Sequence, residues 1–312
     1  MSTMRLRKVA FVGTGIMGAA IAAHLMDAGY DLTVYNRTKE KAQPLLDRGA
    51  KWAGSPKEAA EHADVVFTMV GYPKDVEEIY LASDGLLAAT QKGAWMVDLT
   101  TSSPQLARDI HGYAEVSDKH AVDCPVTGGE EGALAGTLTL MLGCTQKEAE
   151  PLVPLLKTFS SKMLFFDEAG SGQVAKLCNQ ISLASCMVGY AEALALAKQT
   201  GLDQSKVREL VLDGTGASAA MERLAPLSLD GDFAPRFKSE HLLKDLSLAT
   251  FEADELELNL PGTTTARNLF DLLCQVGGGA LGSQGVSLLY EDEATCTAAG
   301  LDWSKLDEQD GD

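Results

Sequence analysis

Apolar residues in the first half of the chain come in short unbroken runs, separated by stretches of helical spacing. The runs "KVAFVG", "DLTVYNR", "DVVFTMV", "AWMVDLT", "HAVDCPV", "LTLMLGC" and "KMLFFD" read as strands. "DVVFTMV" has no polar alternation, as in a strand covered on both faces. Between the runs, "AAIAAHLMDAGY", "DVEEIYL", "SPQLARDIHGYAEVS" and "QKEAEPLVPLLKTFS" read as helices, the third with a Ser-Pro start. "KEKAQPLLDRGA" has Pro44 near its middle, so a short or kinked helix is expected there. Strands separated by helices predict an α/β fold with a parallel, doubly wound sheet.

The pattern changes after Gly172. From there to about Val276 helical periodicity dominates. "QVAKLCNQISLASCMVGYAEALALAKQTG" reads as one unbroken helix ended by Gly201, long enough to link two domains. "DQSKVRELVLDG", "HLLKDLSLATFEADEL" and "TTARNLFDLLCQVG" add further helices, and the acidic tail "DWSKLDEQDGD" reads as frayed. The expected organisation is an α/β domain over residues 1–168 and an all-α domain over 169–312, joined by the long helix.

Composition removes several function classes. A net charge of −18 repels a phosphate backbone, so nucleic acid is not expected as a partner. The six cysteines (Cys124, Cys144, Cys178, Cys186, Cys274, Cys296) are scattered, with no C-x-x-C pair, so free thiols in a reducing compartment and no metal site are expected. "MSTMRLRKVAFVG" runs into a glycine turn and reads as a first strand rather than a signal peptide. The apolar stretch "ISLASCMVGYAEALALA" reads as too short for a membrane span. A cytoplasmic protein with no membrane partner is expected.

"VGTGIMG" sets Gly13, Gly15 and Gly18 between a strand and a helix, with Thr14, Ile16 and Met17 among them. In that context the spacing marks a Rossmann dinucleotide turn. Gly13 permits the tight turn, Gly15 lets the backbone approach a pyrophosphate, and Gly18 allows close packing of helix on strand. The helix start offers free N–H groups to phosphate. At the end of the second strand stands "YNRTKEK", with Asn36, Arg37 and Thr38 where an NAD site usually has a carboxylate. Arg37 and the Thr38 hydroxyl suit a 2′-phosphate, so NADP is favoured over NAD, which stays possible. In the bland alternative Arg37 is a surface arginine stacking on adenine.

The blocks "GTGIMG", "DLTTSSP", "DCPVTGGEEGALAGTLTLMLG", "GSGQVAKLCNQ" and "LLKDLSLA" together resemble the β-hydroxyacid dehydrogenases, the 3-hydroxyisobutyrate dehydrogenase-like enzymes, in order and over nearly the whole chain. The sequence departs from that pattern at Ile21 and His24, at Thr127 in place of serine, and at Cys144 in place of glycine. His24 reads as a helix residue near the phosphate turn rather than a catalyst.

The resemblance implies roles for particular residues. It makes Lys176 the general acid/base, passing a proton to or from a substrate hydroxyl. Its apolar neighbours Val174, Ala175 and Leu177 would desolvate the ammonium and favour the neutral amine. Asn179, three residues on and on the same helix face, would orient the substrate. The turn Thr127–Gly128–Gly129 would hold the substrate carboxylate on backbone N–H groups. Thr101 would contact the nicotinamide end of the cofactor, and Met69 and Val70 the adenine-side ribose or the nicotinamide face. Lys244 would cover the cofactor from the helical domain, with Asp245 as its ion-pair partner or as surface. The implied reaction is hydride transfer between a nicotinamide and a small 3-hydroxy acid or semialdehyde, in a cleft between domains. The competing readings are an imine reductase-like enzyme and a non-catalytic NADP sensor or scaffold. Apolar periodicity in "NLFDLLCQVGGGALGSQGVSLLY" adds the expectation of a homodimer or homotetramer.

Overall fold

The computed structural model describes residues 6–307. Its main sheet has six parallel strands: β1 (Lys8–Val12), β2 (Asp31–Tyr35), β3 (Lys51–Trp52), β4 (Val65–Thr68), β5 (Trp95–Asp98) and β6 (His120–Asp123), in the order β3-β2-β1-β4-β5-β6. The unbroken apolar runs have a direct cause. Val9 and Phe11 of β1 enter one apolar cluster while Ala10 and Val12 enter another, and β4 and β5 divide in the same way. Both faces of the sheet are dry, so neither parity can be polar.

The remaining strands do not join that sheet. β7 (Val126–Thr127), β8 (Leu138–Leu142) and β9 (Ser160–Phe165) form a second sheet, with β7 antiparallel and β9 parallel to β8. "HAVDCPV" therefore splits into two strands around Pro125, whose missing N–H cannot extend a ladder. The helix expected over "QKEAEPLVPLLKTFS" shrinks to Val153–Leu156, because Pro151 and Pro154 interrupt it. Near Pro44 a 3-10 turn, Lys39–Ala42, precedes the short helix Gln43–Leu46. A helix that was read only as a turn, Gly129–Ala135, follows β7.

Ser171–Gln199 is a single helix of 29 residues. By length and hydropathy, 1.3 over its most apolar window, it could cross a membrane, contrary to the sequence reading. Its apolar side has a different use. Ala184, Met187, Tyr190, Ala191 and Leu194 recur at helical spacing and lie in the core formed with Leu242, Leu246, Ala266 and Phe270. Those partners come from Ser239–Glu255 and Pro261–Gln275, and Gln204–Leu212 follows the long helix directly. The described residues divide into two compact units that part between Lys176 and Leu177. Of the tail read as frayed, Ser304–Asp307 is helical, and residues 308–312 lie outside the described part.

Candidate active site

The glycine turn follows β1 and leads into the helix Ile16–Asp27, here the cradle helix. Gly13 has φ +100°, and a Cβ there would collide with the Met69 carbonyl. A Cβ on Gly18 would collide with the Gly13 carbonyl. Gly15 differs: a Cβ there would meet no protein atom within 4 Å. Packing therefore requires the outer glycines and not the middle one. No side chain caps the cradle helix and no acidic residue occupies its first turn, so its first N–H groups keep their anion affinity. Thr14 Oγ1 is buried without a hydrogen-bond partner in the protein, while Ile16 is exposed and Met17 half-buried. These features fit a dinucleotide pyrophosphate.

At the end of β2 the Asn36 amide is used within the protein. Its Oδ1 accepts from Thr14 N at 3.0 Å and its Nδ2 donates to Thr38 O at 2.8 Å, so it ties the glycine turn to the next loop. Arg37 and Thr38 are exposed. The sequence reading found no carboxylate here, but the fold supplies one. Asp75, in the helix Pro73–Leu81, lies 3.4 Å from Arg37 Nη1. Asp75 is buried but the guanidinium is largely in solvent and the contact is long, so the pair is weak and Arg37 stays able to turn to a phosphate.

The C-terminal ends of β4 and β5 are joined by polar contacts in a dry setting. Thr68 Oγ1 donates to Asp98 Oδ1 at 2.8 Å, Thr100 N donates to the same oxygen at 3.0 Å, and Val70 N donates to Thr100 Oγ1 at 3.0 Å. Burial pushes the Asp98 carboxyl up to about 6 despite these bonds. Met69 and Val70 therefore lie against the glycine turn, and Thr101 lies in a loop pinned by its neighbour Thr100.

Thr127 ends β7, and Gly128 (φ +133°) and Gly129 (φ +66°) open the helix Gly129–Ala135. Both glycines are exposed and no side chain caps this helix. Glu130 and Glu131 follow in its first turn. Their side chains already complement the helix dipole, so an anion held here would draw on backbone N–H groups of the turn rather than on the dipole. His24, on the cradle helix, meets the other end of this helix: its Nε2 lies 3.0 Å from Ala133 O and 3.1 Å from Leu134 O.

Lys176 is 8 % exposed. Of its apolar sequence neighbours, Val174 faces solvent, while Leu177 is buried. The start of its helix is anchored by buried groups. Asp123, at the end of β6, accepts from Gly170 N and Gln173 N at 2.9 Å each. Burial lifts its carboxyl above the ordinary value, against the pull of those N–H groups. A Cβ on Gly172 would lie 2.8 Å from Asp123 Oδ2, so the close approach needs glycine. Gln173, fully buried, bonds the loop around Thr101: Ser102 N donates to its Oε1 at 2.9 Å, and its Nε2 donates to Thr100 O at 2.8 Å.

In the second unit, Asn179 Nδ2 donates to Gln180 Oε1 at 2.8 Å, and Gln180 Nε2 donates to Asp245 Oδ2 at 2.6 Å. Lys244 Nζ lies 2.9 Å from Asp245 Oδ1, and both side chains are largely buried. Lys244 is thus not a charge on a solvated face. Gln180, buried and four residues after Lys176, was not singled out from sequence although it occupies the same helix stripe. Asp98, Asp123 and Gln173 were missed as well. The two aspartates were visible as carboxylates at strand ends, but nothing local announces what they bond.

Residues 8–167 match the family described as the NAD binding domain of 6-phosphogluconate dehydrogenase. Residues 170–290 match the one described as NAD-binding of NADP-dependent 3-hydroxyisobutyrate dehydrogenase. A probable 3-hydroxyisobutyrate dehydrogenase-like protein of Arabidopsis thaliana is 40 % identical over 91 % of this chain and 85 % of its own length. An NAD-dependent L-serine dehydrogenase of Pseudomonas aeruginosa is 35 % identical over 87 % of this chain and 94 % of its own. The solved structure of Mycobacterium tuberculosis 3-hydroxyisobutyrate dehydrogenase with L-serine superposes with a TM-score of 0.84 at 29 % identity, covering 92 % of this chain and all of that one. The glycine cradle, the anchored lysine helix and these likenesses converge: the chain belongs to the β-hydroxyacid dehydrogenase family of NAD(P)-dependent oxidoreductases.

Proposed function

We propose that the enzyme interconverts a small 3-hydroxy acid and its semialdehyde, with NADP preferred over NAD and Lys176 as the general acid/base. The observation that carries this reading is a buried lysine in a helix bonded on both sides of Thr101. When bound, the nicotinamide supplies or accepts the hydride. The Gly13–Gly18 turn and the start of the cradle helix hold the pyrophosphate, with Gly15 leaving room for it and Thr14 Oγ1 offering a donor. Arg37 and Thr38 receive the 2′-phosphate. Thr127, Gly128 and Gly129 hold the substrate carboxylate, and Asn179 orients the hydroxyl. Thr101, Met69 and Val70 line the cofactor's path, and the family resemblance assigns Lys244 to the cofactor as well. Lys176 gives its proton to the carbonyl oxygen in reduction and takes it back in oxidation, and at its depth few waters compete for that proton.

The same reading places the enzyme in the cytoplasm, as a homodimer or homotetramer without membrane or nucleic-acid partners. One assay tests the core of it. Small semialdehydes with NADPH, and 3-hydroxy acids including L-serine with NADP+, are offered to the wild type, Lys176→Ala and Arg37→Ala. Lys176→Ala should lose about 1,000-fold in kcat, in the range of general acid/base contributions, with NADPH binding nearly unchanged. Arg37→Ala should raise the KM for NADPH about tenfold or more and leave that for NADH in place. Tight NADPH binding with no turnover of any substrate would favour the sensor instead. Normal turnover by Lys176→Ala would remove the lysine from the chemistry.

A further inference from the structure

We infer that Gln173 is a positioning residue that sets the proton-transfer lysine in register with the loop that meets the nicotinamide. The inference rests on the roles proposed above for Lys176 and Thr101. The Gln173 side chain is fully buried. Its Oε1 accepts from Ser102 N and its Nε2 donates to Thr100 O, at 2.9 and 2.8 Å. Those two groups are the amide just after Thr101 and the carbonyl just before it. They are the pair that a neighbouring strand would use to bond residue 101. The side-chain amide therefore continues the ladder where β5 has ended at Asp98.

The backbone of Gln173 is fixed as well, because its N–H donates to Asp123 Oδ2 at 2.9 Å. One residue thus joins the end of β6, the loop after β5 and the first turn of the long helix. Lys176 follows three residues later, about 4.5 Å further along the axis at the usual helical rise. Over one turn a helix is stiff, so the clamp on Thr101 fixes where the lysine backbone stands. No other side chain reproduces it. Glutamate brings two acceptors and no donor for Thr100 O at neutral pH. Asparagine is one methylene too short to span both groups. Leucine fills the volume with neither bond. A glutamine that only satisfied stray backbone groups would affect stability and leave the chemical step alone, and that difference can be measured.

The full chain is compared as wild type, Gln173→Leu, Gln173→Asn and Lys176→Ala. NADPH affinity is read by fluorescence. Steady-state kinetics use malonate semialdehyde, the aldehyde of the simplest 3-hydroxy acid, first, then the substrate on which the wild type is fastest. Hydrogen exchange is followed at the Ser102 amide. Gln173→Leu should speed exchange at Ser102 at least about tenfold and lower kcat about 10- to 100-fold, the scale of an ångström-sized misplacement. The Kd for NADPH should stay within about threefold, and Gln173→Asn should fall between the two in both readouts. Should the leucine variant fail to fold, the asparagine variant carries the same comparison. Unchanged exchange at Ser102, a kcat within about twofold of wild type, or a loss confined to NADPH affinity would overturn the inference. Loss of turnover in Lys176→Ala with none in Gln173→Leu sinks the clamp alone. Equal turnover by wild type and Lys176→Ala sinks the lysine assignment and the clamp with it.

Discussion

A carboxyl group cut off from water holds its proton harder than one in solution, and Asp98 is such a group. Burial pushes it up to about 6, from an ordinary value of 3.8. Below about pH 4 it is protonated in both folded and unfolded chains and costs nothing. As pH rises toward 6 the unfolded chain releases its proton first, so folding loses stability across that window, on the order of 3 kcal/mol for a shift of about two units. Asp98→Asn mimics the protonated form, and its Oδ1 can still accept from Thr68 and Thr100. The variant should gain on wild type in Tm between pH 4 and pH 7. A difference that stays flat across that range would mean the charge is not the cause. At this scale the sequence told only half. Lys176 stood out through its block, and Arg37 through its place after β2. Asp75, Asp123 and Gln173 did not, because their partners lie 38, 47 to 50, and 71 to 73 residues away.

Among the elements, the glycine turn separates two demands that a motif merges. Gly13 and Gly18 serve the protein's own packing, and no protein atom crowds Gly15, which leaves it to the pyrophosphate contact proposed above. Gly18→Ala must push the cradle helix off the Gly13 carbonyl, so it should destabilise by about 1–3 kcal/mol, seen as a lower Tm. Gly15→Ala should leave Tm almost unmoved and raise the KM for NADPH. If Gly15→Ala lowered Tm as much as Gly18→Ala, the division of labour would be wrong. The strands of the main sheet were legible because burial on both faces leaves a plain apolar run. The second sheet was not, since Pro125 splits a run that reads as one strand into two that belong to different sheets. The helix Gly129–Ala135 was hidden for the opposite reason: its glycines advertise a turn and its small residues give little period.

For the whole molecule, the division into an α/β half and a helical half followed from the change of period after Gly172. The membrane question did not resolve from hydropathy, because a long helix that fills a core is as apolar as one that crosses a bilayer. Leu196, Leu202, Leu210, Phe251, Leu256 and Leu258 of the helical unit are exposed. Together with the expected association, they predict that light scattering will give a mass of two or four chains. A net charge of −18 opposes that assembly, so added salt should strengthen it. A single-chain mass at high salt would refute it.

The contact between His24 and the carbonyls of Ala133 and Leu134 has a consequence for timing. The helix that begins at the dinucleotide turn and the helix that begins at the Gly128–Gly129 turn are stapled together away from those starts. Their alignment is settled once, when the chain first folds. If the two turns hold cofactor and substrate as proposed, that staple predicts a spacing between them that turnover does not have to rebuild.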